Sequence, residues 1–352
     1  VTAAGFVLSA GAAAGASAAA PRTIVLGPGQ SIQKAVDKAA PGTTIRIEAG
    51  VYHQSVVIRT DGITLSGAGD TAAGTILKPP AHIPDTACGE FGPVGICVLA
   101  KSLNGGPGGQ PIPVSGVTVA GLSVVGFPGE GVFGYGTSGL TVRNVTARND
   151  GDYGISRFVS TKTVFVNDYA TGNNEAGFYV GDSPHADTVL HNDRAWNNEF
   201  GVLIRHTHGV VVTDSVLRGN CQGITVLDDG LAGGAGNVVI AHNNVSANNR
   251  LCPVPEDLPR KIGGGGVLLL GATHTTVEHN SVYGNAGTRF NSGGIVVFSA
   301  AGVSGGSAPE FDRVVGNSAH NNSPADLIWD QTGTGNVFSG NHCTRSSPAG
   351  LC

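Results

Sequence analysis

From Gly131 onward the apolar residues recur in a fixed frame. A glycine precedes a short apolar run at Gly131, Gly154, Gly177, Gly201, Gly223, Gly266 and Gly294, in stretches such as DYGIS, EAGFYV, EFGVLI, CQGITV and SGGIVVF. The first four intervals are 23, 23, 24 and 22 residues, and the next two lengthen to 43 and 28. The position after each glycine holds Val132, Ile155, Phe178, Val202, Ile224, Val267 and Ile295, and alternation around it predicts a strand with that position turned inward. A second strand follows in every unit and ends in an asparagine turn, as in LTVRNVTARN and VVVTDSVLRGN, at Asn149, Asn173, Asn197, Asn220, Asn248 and Asn285. Asparagine tolerates the left-handed conformation and bonds to backbone, so one in each turn predicts a hydrogen-bonded stack. A period of 22 to 24 residues is too short for helix-pair repeats and lacks leucine-rich spacing. It suits one coil of a parallel β-helix, with coils about 4.8 Å apart.

The segment before the repeat supplies the end cap such a solenoid needs. SIQKAVDKAA places Ile32, Ala35, Val36 and Ala39 at helical spacing behind Ser31, an N-cap residue type, and strands resume in TTIRIEAGVYHQSVVI. Insertions interrupt the period near 78–114, 229–236, 250–264 and 300–312. Loops of that length in a repeat protein serve as functional walls or as decoration.

Composition narrows the class. The 352 residues include 56 glycines, no methionine and 6% aromatic residues, which suits an all-β chain of short strands. A net charge of −5 with no basic tract argues against nucleic acid as a partner, and no apolar run is long enough to span a membrane. The first twenty residues, VTAAGFVLSAGAAAGASAAA, are uncharged and end in small residues, as the remnant of a secretory signal peptide cleaved after Ala18 or Ala20 would be. A single domain over 21–352 is expected to follow, as a secreted, extracellular monomer. Six cysteines without a CxxC fit that compartment, and proximity favours Cys88 with Cys97, Cys343 with Cys352, and therefore Cys221 with Cys252.

The run GPGQSIQKAVDKAAPGTTIRIEAGVYHQSVVI with ITLSGAG, followed by coils such as NNEAGFYVGDSPHADTVLHN, resembles the secreted bacterial right-handed parallel β-helix proteins of the pectin-lyase-like superfamily. The resemblance covers nearly everything after residue 21. It implies a right-handed solenoid and a polysaccharide or cell-wall glycan as partner, but no single activity, because the superfamily holds lyases, epimerases, hydrolases and phage tailspikes. Pectin-cleaving hydrolases of this fold carry NTDG, a paired aspartate, GHG and RIK, of which the chain offers only Asp228–Asp229. The DPH core of alginate epimerases is also missing, with SPH at 183–185 in its place.

Stacking converts sequence offsets into columns. Five residues after the glycine, consecutive coils place Asp182, His206 and Asp228, with Arg205 before the histidine and Asp229 after the second aspartate. An acidic polysaccharide cleaved by β-elimination needs its carboxylate neutralised, a base for the C5 proton and an acid for the leaving oxygen. The sequence-based assignment gives neutralisation to Arg205, aided by Arg157 or by a calcium ion on Asp182 and Asp228. It gives the base role to His206 and the acid role to Tyr179, and leaves Tyr153, His185 and His208 to contact substrate. Arg157 falls at an inward position, which predicts a bulged strand or a side chain turned out toward the groove, since an unpaired buried guanidinium is not tolerable. A transition metal on His206-x-His208 with Asp182 or Asp228 is a further reading. A second acidic column, Asp152, Glu175 and Glu199, suggests calcium or raised pKa values. Should reducing ends appear instead of unsaturated ends, Asp182, Asp228 and Asp229 become the acid and base of a glycoside hydrolase. A uronan epimerase and a non-catalytic glycan-binding solenoid complete the alternatives.

Overall fold

The computed structural model describes residues 22–82, 88, 91–255 and 258–352; the signal-peptide reading lies outside them. Each coil carries up to three short strands, and all pairings between strands of successive coils are parallel, in register with the glycine frame. Val132 pairs with Ile155, then Phe178, Val202, Ile224, Val267 and Ile295 in turn, and every one is buried. This first sheet continues into a second (Val164–Val166, Thr188–His191, Thr276–Glu278) and a third (Tyr169–Thr171, Arg194–Trp196, Val216–Arg218, Ser281–Tyr283). Their inner faces enclose one continuous apolar core from Leu26 to Leu351.

The cap forms as expected. Ile32–Lys38 is helical, Ser31 Oγ accepts from Lys34 N at 3.2 Å, and Ile32, Ala35 and Val36 are buried. Gln33 closes the sheet beneath it, since its side-chain amide accepts from Val57 N at 2.7 Å and donates to Val57 O at 3.0 Å. A sheet edge left open there would invite pairing with another chain.

The asparagine stack is real, but its register corrects the expectation. The buried ladder runs Asn173, Asn198, Asn220, Asn248, Asn285 and Asn322, each amide donating to the next side-chain oxygen at 3.0 to 3.3 Å. Asn149 and Asn197 stand one position earlier, at the left-handed residue of the turn (φ 56° and 59°), which Gly172 and Gly219 fill in coils that read GN. A second ladder through Asn243, Asn280, Asn317 and Asn341 runs along the other end of the third sheet. Asn248→Ala is expected to lower stability by about 2–4 kcal/mol, because it orphans the buried backbone and amide donors of Asn220. A shift of the denaturant midpoint reads it.

All three expected disulfides are present, Cys88–Cys97, Cys221–Cys252 and Cys343–Cys352. The first two anchor insertions over the outer face of the first sheet. Leu99, Phe91 and Phe133 pack under one, and Leu258 and Ile262 join Leu203 and Leu268 under the other. Tyr179 belongs to this second cluster with Leu203, and Asp182, Arg205 and His206 follow on the same two strands. Among the described residues no helix is long and apolar enough to cross a membrane.

Candidate active site

In the coils of Asp182 and His206 the first-sheet strand runs on through its turn instead of ending there. Gly181 pairs with Arg205 and Ser183 with Thr207, leaving Asp182 and His206 as unpaired residues between ladder positions. Both adopt positive φ (57° and 50°), as does Val159 one coil earlier (49°). Asp and His enter that region at modest cost, whereas a β-branched valine there is strained, and such strain gathers at functional sites. The bulge turns the two side chains out of the sheet toward a cleft of about 410 Å³, lined by Leu103, Gln110, Tyr135, Val159, Pro184 and Gly233 as well as the pair itself. Its walls therefore come from the 78–114 and 229–236 insertions.

His206 is held by carboxylates on both sides. Nδ1 lies 2.9 Å from Asp182 Oδ1 and Nε2 lies 2.6 Å from Asp229 Oδ1, with the imidazole only 7% exposed. Both bonds form together only when both ring nitrogens carry protons, so the arrangement selects the imidazolium. The Asp182 bond raises its pKa above the ordinary imidazole value; burial opposes this, and Asp229 adds to the rise. Behind the histidine, Tyr179 donates to Asp182 Oδ2 at 3.2 Å, Arg205 Nε donates to the Tyr179 hydroxyl at 3.4 Å, and Arg205 Nη1 lies 3.7 Å from Asp229 Oδ2. Gly181 makes room for the tyrosine, since a Cβ there would collide with its hydroxyl. Burial raises the Tyr179 phenol well above its usual value, against the opposing charge of Arg205.

Of the remaining predicted residues, several stand elsewhere. Asp228 does not join the column: Oδ1 accepts from Gly230 N at 2.9 Å and Oδ2 from Ser307 N at 2.8 Å, so its carboxylate ties the 229–236 and 300–312 insertions together. The loop that leaves the coil at this point brings Asp229 to His206 instead. Arg157 is neither bulged nor turned out. It lies fully buried at its inward position and is satisfied by neutral oxygens, with Nη1 donating to Gly181 O at 2.9 Å and Ser183 Oγ at 2.7 Å, and Nε and Nη2 to Thr188 Oγ1 at 3.2 Å. Burial lowers its pKa to about 10, opposed by Tyr179 and Asp182. Tyr153 sits behind the site, stacked on Tyr179 at 4.6 Å and donating to Glu175 Oε1 at 2.9 Å. His185 is exposed beside the cleft-lining Pro184, and His208 Nε2 lies 2.9 Å from Gly233 O.

Neither metal reading fits these donors. Both Asp182 oxygens and both Asp228 oxygens are taken by separate partners and do not converge, and both nitrogens of His206 face carboxylates. Among the described residues no group of three His, Cys, Asp or Glu side chains is arranged for a metal ion. In the other acidic column, burial pushes Glu199 up to about 7 against the charge of Arg250. Tyr135 and Val159 also line the cleft; neither stood among the sequence-based candidates, and an apolar residue such as Val159 carries no chemical signal.

Fold and site together define a parallel β-helix with a charged cleft on its first sheet. The sequence pattern of the right-handed β-helix region matches residues 130–307, and the chain belongs to that family, with the pectin-lyase-like fold. Among solved structures it is similar to the A-module of mannuronan C-5 epimerase AlgE6 from Azotobacter vinelandii, at 18% identity over 90% of this chain and 94% of that one, with a TM-score of 0.61. The AlgE4 A-module of the same organism follows at 19% identity, 88% and 85% coverage and 0.53, and pectate lyase Pel9A at 14%, 91%, 79% and 0.50. At these identities the likeness establishes the fold. No curated protein sequence matches the chain.

Proposed function

We propose that the protein is an exported carbohydrate-active enzyme that removes the C5 proton from a uronic-acid residue of an acidic polysaccharide and, as a lyase, completes β-elimination. The observation that carries this reading is the imidazole clamped between Asp182 and Asp229 beside Arg205 and Tyr179. Arg205 and the His206 imidazolium offer two positive charges to the uronate carboxylate, which acidifies C5. The base is the hydrogen-bonded Asp182–Tyr179 pair, of which Asp182 (32% exposed) faces the cleft. The acid is His206. These roles reverse the sequence-based assignment, because an imidazole donating from both nitrogens has no lone pair for a proton. In the step, the C5–H bond breaks and its proton passes to the Asp182–Tyr179 pair. The electron pair forms the C4–C5 double bond, the C4–O4 bond breaks, and the leaving oxygen takes a proton from His206. Protonating Asp182 removes one acceptor from His206 and frees that proton for transfer.

Hydrolysis is less well supported, since it asks one carboxyl group to arrive protonated and both Asp182 and Asp229 accept from the same imidazole. Epimerisation shares the first half of the reaction and differs in returning a proton to C5; the two mannuronan C-5 epimerase modules lend that second reading their fold. Export is supported by the three disulfides.

Because His206 must enter the cycle protonated, the alkaline limb of turnover is expected to fall as pH rises through its folded pKa, which lies above about 6.5. Asp229→Asn removes one of the groups that raise that pKa and should move the alkaline limb of kcat/KM downward; an unmoved limb would contradict the acid role. A panel of polyuronates separates the outcomes. Rising ultraviolet absorbance marks elimination, inverted C5 configuration without absorbance marks epimerisation, and new reducing ends alone contradict the proposal.

A further inference from the structure

We propose that the outer face of the third sheet is a second binding surface, for an anionic polysaccharide, separate from the cleft at His206. On this face outward residues fall in rows across successive strands. Arg148 pairs with Thr171, which pairs with Trp196, then Arg218, Ser246 and Tyr283, so a chain lying along the solenoid meets one side chain of the row about every 4.8 Å. Trp196 and Tyr283 are 38% and 45% exposed, and the Arg218 guanidinium lies 3.9 Å from the centre of the Trp196 ring. Gly219 makes space for that indole, since a Cβ there would stand 2.7 Å from its Nε1. Arg194, two residues before Trp196 on the same strand and therefore on the same face, borders a cleft of about 700 Å³ with Tyr169, Trp196 and Arg218.

Charge identifies the ligand. Arg148, Arg194 and Arg218 form no salt bridge with any described carboxylate, in a chain whose net charge is −5. The acids within the cleft do not offset them closely: Asp168 is buried, with its oxygens accepting from Val145 N and Val166 N, and Asp70 accepts from the Thr146 hydroxyl at 3.2 Å. Guanidiniums without protein counter-ions, set among exposed aromatic rings at sugar-stacking positions, suit a polymer that is both anionic and rich in C–H faces, as a polyuronate is. A neutral glucan would leave the arginines unused. The inference stands on this face alone and not on the chemistry of the His206 cleft.

Affinity electrophoresis of the intact chain carrying His206→Asn, which removes any turnover from the readout, tests it. Sodium polygalacturonate or sodium alginate in the gel should retard the protein, and retardation should weaken with salt. Trp196→Ala and Arg218→Ser should each raise the apparent Kd about tenfold, with unchanged melting temperatures. Because both side chains are exposed, and Arg194→Ser offers a third independent variant, loss of folding will not mimic loss of binding. Undiminished retardation of the folded variants would overturn the surface. Equal retardation by neutral dextran would overturn its anionic character, and equal retardation by single-stranded DNA would overturn its assignment to a glycan. None of these outcomes depends on whether the protein turns over a uronate.

Discussion

His206→Asn is expected to lower kcat on the responsive polyuronate by about a thousandfold while leaving the solenoid folded. Asparagine is chosen because it accepts the positive φ that His206 adopts (50°), so the bulge between Gly181–Arg205 and Ser183–Thr207 should persist. What disappears is the imidazolium that bridges Asp182 and Asp229, and with it both the proton for the leaving oxygen and one positive charge beside the uronate. The two carboxylates then face each other without the cation between them, which works against an anionic substrate. Far-ultraviolet circular dichroism should match the parent, with the melting temperature lowered only by the loss of the two ion pairs of His206. A folded variant with full turnover would remove His206 from the mechanism, and a parent protein that binds polyuronate without turning it over would return the chain to the class of binding solenoids.

Arg157→Ala is expected to lower stability by about 3–5 kcal/mol. The substitution leaves a void at a fully buried position and removes donors from Gly181 O, Ser183 Oγ and Thr188 Oγ1. Arg157→Met should cost far less, because a flexible apolar chain of similar length fills the space and no charge has to be desolvated. A buried guanidinium held only by neutral oxygens gains little that a well-packed apolar side chain would not. Urea denaturation of both variants measures the difference, and equal losses would show that the hydrogen bonds, not the volume, dominate.

Much of the architecture was legible because a solenoid writes its structure as a period. The glycine frame gave the inward stack from Val132 to Ile295, and the N-cap and apolar spacing gave the helix Ile32–Lys38. Register to a single residue was less legible: GN and NN turns use their two positions differently, so Asn197 was placed in a ladder that Asn198 occupies. The site followed the same rule. Tyr179, Asp182, Arg205 and His206 come together because their coils keep the period, whereas the 229–236 insertion begins right after Asp228 and hands its place beside His206 to Asp229. Arg157 was misplaced because its neutral partners come from the following coil, Gly181, Ser183 and Thr188, and carry no charge to announce them. The protonation of His206 was not readable at all, since it depends on acceptors meeting both ring nitrogens at once.

The most direct measurement follows the hydrogen at C5. A polyuronate labelled with deuterium at C5 should release its label to solvent when incubated with the protein, whether the reaction ends in elimination or in epimerisation, and release should fall together in His206→Asn and Asp182→Asn. Cleavage of the polymer with the C5 label fully retained would contradict proton removal at this site.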